Sequence, residues 1–271
     1  MTPEQLETVD IALLNLRCAE GLPGSESLDV AAALERLDEY ARHVEQETNR
    51  HLHRFRQNPE EYENSEPYFR LMMMATVLQE DFAIRYDSNW IAIPGSEDPN
   101  DEFHANSRNL FIHSLVGPPM TGTCASMPVL YVAVGRRLGY PLYLVTTKRH
   151  LFARWEDTRN RLNIEGTTDH GLGSFEDDYY KTFPFKITDA EVEAEQHLRS
   201  KTPSEELAEF MATRAECLIK ARRYADAVKA QRETVRLAPK VRHFQTNLAY
   251  SEKRLQRLAM EARQRQIDQV N

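Results

Sequence analysis

Gly122-Thr123-Cys124-Ala125-Ser126-Met127-Pro128, running into Val129-Leu130-Tyr131-Val132-Ala133-Val134 and closed by Gly139, is the stretch that decides the fold. Proline is tolerated only in the first turn of a helix, so Pro128 places the helix start close to Cys124. The body of this helix is apolar on all sides, which predicts a buried central helix. Arg136 and Arg137 fall in its last turn, where cations suit the helix dipole, and Gly139 supplies the stop. After Gly139 the apolar period changes from 3.6 to 2. Leu142 to Thr147, His150 to Glu156 and Arg161 to Gly166 read as three short strands, the last two joined by the turn Asp157-Thr158-Arg159-Asn160. A buried helix followed by a small antiparallel sheet is an α+β arrangement.

This segment carries a thiol, an imidazole and a carboxylate in chain order: Cys124, His150 and Glu165. A cysteine nucleophile needs a base to take its proton and a third group to orient that base. Cys124 is expected to open the helix, where free N–H groups and the helix dipole favour a thiolate and can hold an oxyanion. On the second strand His150, Phe152 and Arg154 point to one face. A symmetric Asp157–Asn160 turn sets Glu156 opposite Arg161, Arg154 opposite Asn163 and Phe152 opposite Glu165. His150 and Glu165 then become diagonal neighbours on one face, within reach of a hydrogen bond. A slip of one residue would send them to opposite faces. Asn163 is the alternative orienting residue. Cys18 and Cys217 lie in amphipathic helices and read as packing residues.

Working outward, the first ninety residues read as helices: Val9 to Ala19, Leu28 to His53 and Tyr68 to Phe82, separated by Gly, Pro and Asn clusters. Met72-Met73-Met74 reads as core filler. Ile93 to Asn100 reads as a loop and Asn106 to Val116 as a short helix. Residues 1–187 form one unit on this reading, and 188–271 a second, helical one. In the latter, Thr202-Pro203-Ser204-Glu205-Glu206 is a helix start. Ala215, Leu218, Tyr224, Ala227, Val228, Leu237 and Pro239 fit the 34-residue tetratricopeptide pattern, and Leu248-Ala249 falls one repeat later. One and a half such repeats cannot stand alone, so they are expected to dock on the core or to dimerise.

Four elements together resemble the transglutaminase-like superfamily, whose core is a relative of papain-type cysteine enzymes: Gly122-Thr123-Cys124, Leu138-Gly139-Tyr140-Pro141, His150 at a strand start, and Glu165-Gly166-Thr167. The resemblance spans roughly residues 100–185. It looks closest to a bacterial branch with a helical N-terminal part and tetratricopeptide-like helices after the core. It implies a papain-like core with Cys124, His150 and Glu165 as a catalytic triad. Glu165 departs from the commoner Asp, and Leu151-Phe152 from a small residue followed by Trp.

Composition narrows the rest. The chain has 271 residues, a formal charge of -8 and three cysteines. The acidic balance argues against nucleic acid as the main ligand, and the scattered cysteines form neither a disulfide framework nor a C-x-x-C pair. No apolar run reaches membrane-spanning length. The N-terminus lacks the basic and apolar regions of a signal peptide, so a cytoplasmic location is expected. His43, His51 and His53 have no completing ligand set, so no metal is expected, and no phosphate loop or dinucleotide fingerprint points to a cofactor. The polar loop Asp169-His170-Gly171-Leu172-Gly173-Ser174-Phe175-Glu176-Asp177-Asp178 reads as a plain surface loop, with a substrate loop bordering the cleft as the alternative. The expected function is cysteine-dependent acyl chemistry on an amide or ester of a peptide or protein: a peptidase, amidase, deamidase or transglutaminase-like enzyme. The alternative is a catalytically silent scaffold whose C-terminal helices hold a protein partner.

Overall fold

A computed structural model describes residues 2–90, 102–168 and 171–270 of the chain. The loop expected over Ile93 to Asn100, and Asp169-His170 of the later polar loop, lie outside the described residues. The order of elements is α1 (Pro3–Leu6), α2 (Ile11–Ala19), α3 (Val30–Gln57), α4 (Glu66–Glu80), β1 (Arg85–Tyr86), β2 (Thr121–Gly122) and α5 (Met127–Arg137). It continues with β3 (Leu142–Thr147), β4 (His150–Glu156), β5 (Arg161–Ile164), α6 (Asp177–Tyr180), α7 (Asp189–Glu195), α8 (Pro203–Lys220), α9 (Tyr224–Leu237) and α10 (Arg242–Val270). The fold is α+β. A helical N-terminal region precedes a small antiparallel sheet, and helices follow it.

The helix starts obey local chemistry. Asp10, Asp29 and Ser65 each cap a helix by accepting a backbone N–H, and Thr188 and Thr202 form capping boxes with Glu191 and Glu205. Helix α5 is buried from Met127 to Gly135, as its all-round apolar sequence requires. Each fully buried Val, Leu or Met there contributes about 1.5–3 kcal/mol by leaving water. Pro128 sits in its first turn.

Strands β3, β4 and β5 form one antiparallel sheet in that order. The β4–β5 register pairs Glu156 with Arg161 and Arg154 with Asn163, as the Asp157 turn predicts. Asp157 Oδ1 fixes that turn by accepting from the N–H groups of Arg159 and Asn160. One face of β4 packs Ala153 and Trp155 into the main core with α5. The other packs Phe152 against Tyr180 of α6, rings 3.8 Å apart and nearly parallel.

Four expectations are corrected. The first ninety residues are not all helical, because Arg85–Tyr86 pairs in parallel with Thr121–Gly122. Asn106 to Val116 is not one helix but two short 3-10 turns, Ser107–Asn109 and Ile112–Ser114. Helix α5 begins at Met127, so Cys124 lies in the turn before it. The third strand ends at Ile164, and Glu165 instead pairs with Gly173 through two backbone hydrogen bonds. That pairing ties part of the supposed surface loop to the sheet.

The C-terminal helices share the core. Phe210, Ala215, Cys217 and Leu218 of α8, and Ala227 and Ala230 of α9, join the same buried cluster as α2 and α5. Glu206, almost fully buried, accepts from both terminal nitrogens of Arg136 at the end of α5. No helix among the described residues is long and apolar enough to cross a membrane.

Candidate active site

The thiol is placed by a turn rather than by the helix itself. Thr123 O accepts from the N–H groups of Ser126 and Met127, and Thr123 N–H donates to Ser126 Oγ at 3.0 Å. Thr123 Oγ1 donates to Asn109 O at 2.6 Å and accepts from Ala125 N at 3.1 Å. These bonds lock residues 123–126 into a knuckle feeding α5, and Cys124 stands on it, half-buried. Gly122 permits the knuckle: a Cβ there would lie 2.8 Å from Leu115 Cδ2 and 2.9 Å from Met127 Sδ. A larger residue would push the Leu115 and Met127 side chains aside.

The imidazole and the carboxylate meet. His150 Nε2 and Glu165 Oε2 are 2.7 Å apart, and each side chain is 2% exposed. A carboxylate only accepts, so Nε2 carries the proton in this bond. The other carboxylate oxygen, Oε1, accepts from Thr167 N–H at 3.1 Å and Thr167 Oγ1 at 2.6 Å. Glu165 is thus held by its backbone to Gly173 and by both oxygens. His150 Nδ1 is buried and makes no hydrogen bond among the described residues. With Nε2 committed to Glu165, Nδ1 is the nitrogen left for Cys124, whose side chain acts on His150 directly.

Electrostatics follow from this packing. Burial opposes a charge on His150, but the Glu165 carboxylate and the Cys124 side chain outweigh it and raise the imidazole above its ordinary value. Burial opposes a charge on Glu165 as well, yet His150 and the Thr167 donors hold its carboxyl below the usual range. The pair therefore favours imidazolium and carboxylate. Burial pushes Cys18 and Cys217 each up to about 12, which leaves them neutral thiols.

Asn163 serves another partner. Its Oδ1 accepts from Arg154 Nε at 2.7 Å, and its Nδ2 donates to Phe175 O and Asp177 Oδ1. Arg154 is fully buried and also pairs with Asp177. The structure thus brings Glu165, and not Asn163, to His150.

Sequence reading missed three neighbours of the triad and gave a fourth, Thr167, no role of its own. Tyr86 lies in the field of both Cys124 and Glu165, and the Cys124 N–H lies close enough to its hydroxyl to favour the ionised form. Tyr180 stacks toward His150 with ring centroids 6.3 Å apart, and its buried hydroxyl lies in the field of Glu165. Phe183 meets the His150 ring edge-on at 6.0 Å. Only Thr167, quoted with Glu165-Gly166, carried a local signal. A polar hollow of about 200 Å³ adjoins the knuckle, lined by Asp87, Asn106, Arg108 and Thr123 among others.

Comparisons of the chain with protein-family models, with curated proteins and with solved structures return no match.

Proposed function

We propose that the chain catalyses cysteine-dependent acyl transfer from an amide or ester, with Cys124 as nucleophile, His150 as base and then acid, and Glu165 as the orienting group. The observation that carries this reading is the buried 2.7 Å His150–Glu165 bond, which leaves Nδ1 unpartnered beside Cys124. Nδ1 of the neutral imidazole takes the thiol proton, forming the imidazolium that Glu165 favours, and Sγ attacks the carbonyl carbon. The π pair moves onto the carbonyl oxygen. Its return expels the leaving amine or alkoxide, which takes the proton from Nδ1. A thioester remains on Cys124. Water, activated by Nδ1, then releases the acid and restores the thiol.

The likeness to the transglutaminase-like superfamily in Gly122-Thr123-Cys124, Leu138-Gly139-Tyr140-Pro141, His150 and Glu165-Gly166-Thr167 supports the same chemistry on a papain-like core. It also supports a peptide or protein as substrate and a tetratricopeptide-like role for α8, α9 and α10. Water is the default acceptor, because no amine site stands out beside Cys124 among the described residues. The rival reading, a silent scaffold, draws on the exposed Tyr250 and Met260 of α10, a surface fit for a protein partner.

The test is incubation with p-nitrophenyl acetate, followed by peptide mapping. The acyl reading expects one acetyl group on Cys124, with none gained at Cys18 or Cys217. It also expects the gain to be lost in Cys124→Ala and reduced at least about tenfold in His150→Ala. A wild-type protein acetylated no faster than free cysteine favours the scaffold.

A further inference from the structure

One polar group at the site has no part in the triad. Tyr86 belongs to β1, and the parallel pairing of Tyr86 with Gly122 brings its strand alongside the chain two residues before Cys124. Two backbone bonds clamp this arrangement: Arg85 N–H to Met120 O at 3.0 Å, and Asp87 N–H to Gly122 O at 2.8 Å. The Tyr86 ring packs against the main core. Its hydroxyl donates to Trp90 O at 3.0 Å, and the pairing of Tyr86 with Gly122 sets it on the side of the turn that carries the Cys124 N–H, within the field of the Cys124 side chain. A hydroxyl held by a rigid ring, next to the N–H of the nucleophile's own residue, is a donor placed where charge develops in acyl transfer.

We propose that the Tyr86 hydroxyl and the Cys124 backbone N–H together form the oxyanion hole, so that Tyr86 is a further catalytic residue of this site. The proposal rests on the acyl-transfer reading. As Sγ bonds to the carbonyl carbon, the π pair leaves a full charge on oxygen. That oxygen comes between the Cys124 N–H and Tyr86 Oη. Rotation about the Tyr86 C–O bond swings the hydroxyl hydrogen from Trp90 O to the oxyanion, with no movement of the ring. Burial, with the nearby Cys124 side chain and the Glu165 carboxylate, raises the Tyr86 pKa, so the hydroxyl keeps its proton and serves as a donor at any working pH. When the intermediate collapses, the charge returns to the carbonyl bond and the hydroxyl returns to Trp90 O. No proton leaves Tyr86 in the cycle.

Two reagents separate this role from its rivals. Iodoacetamide alkylates a thiolate by displacing iodide, with no oxyanion. p-Nitrophenyl acetate acylates the same thiolate through a tetrahedral oxyanion and expels p-nitrophenolate. In Tyr86→Phe, acylation of Cys124 should fall at least about tenfold, approaching the hundredfold that one such donor is worth. Alkylation of Cys124 in the same sample should stay within about twofold. The alkylation arm also reports an intact site, so loss of fold cannot imitate the result. Three results overturn the assignment: unchanged acylation, equal slowing of both reactions, or acceleration of both, which would make Tyr86 a plug on the thiol. A wild-type protein in which neither reagent outpaces free cysteine overturns the acyl-transfer reading, and the hole with it.

Discussion

Asn163 Oδ1 accepts a hydrogen bond from the fully buried Arg154 Nε at 2.7 Å, and this bond decides which residue orients His150. Asn163 is engaged with Arg154, Phe175 and Asp177, whereas Glu165, two residues on, reaches the imidazole. Two polar side chains on one face of one chain segment thus serve separate networks. One holds the sheet to α6. The other sets the proton on the base.

The first expectation follows from that division. Glu165→Gln keeps the size of the side chain but removes the charge that favours imidazolium, so acylation of Cys124 should fall nearly as far as in His150→Ala, since members of one unit do not add. Asn163→Ala should leave acylation within about twofold. It should cost about 1–3 kcal/mol of stability, because buried Arg154 loses an acceptor. Acylation rates and urea unfolding of the three variants check this.

A second expectation concerns pH. His150 is raised above its ordinary 6.5, to about 10, so its contribution to stability is complete below 6.5 and is lost as pH rises through about 10. Glu165 is lowered from 4.5, so its contribution is complete above 4.5 and is lost as pH falls through the lowered value. The two overlap fully between 4.5 and 6.5. The destabilisation caused by Glu165→Gln, about 3–5 kcal/mol for a broken buried pair, should therefore be largest in that window and shrink toward pH 10. Thermal melts of both proteins from about pH 5 to about pH 10.5 measure it.

A third expectation tests the docking of the C-terminal helices. Leu218 of α8 is 1% exposed in the main core, whereas Met260 of α10 is 72% exposed. Leu218→Ala should cost about 2–5 kcal/mol in a single cooperative unfolding transition. Met260→Ala should change it by less than about 0.5 kcal/mol. A separate, early transition in Leu218→Ala would mean that α8 and α9 fold apart from the sheet.

Much of the site was legible because its geometry is local. The β4–β5 register follows from one tight turn and a period of two, and these point His150 and Glu165 to the same side, although Glu165 itself pairs with Gly173 rather than with Phe152. The start of α5 was legible only to within a turn. Pro128 limits where the helix begins, but the knuckle that lifts Cys124 outside it depends on Thr123 bonding to Asn109 and Ser126. Tyr86 was not legible, because a two-residue parallel pair between positions 85–86 and 121–122 leaves no periodic trace. Arg154 was placed on the correct face, but its complete burial follows from Asp177, at the start of the short helix α6, whose position over the sheet the sequence does not reveal.

The most direct test of the triad is the site-resolved rate of iodoacetamide alkylation at about pH 6.5 in wild type and His150→Ala, read by mass spectrometry with Cys18 and Cys217 as internal standards. If His150 and Cys124 share a proton as an ion pair, Cys124 should be modified at least about tenfold faster than either buried cysteine, and His150→Ala should remove most of that advantage. Cys124 reacting no faster than Cys18 and Cys217, or reacting equally fast without the imidazole, would contradict it.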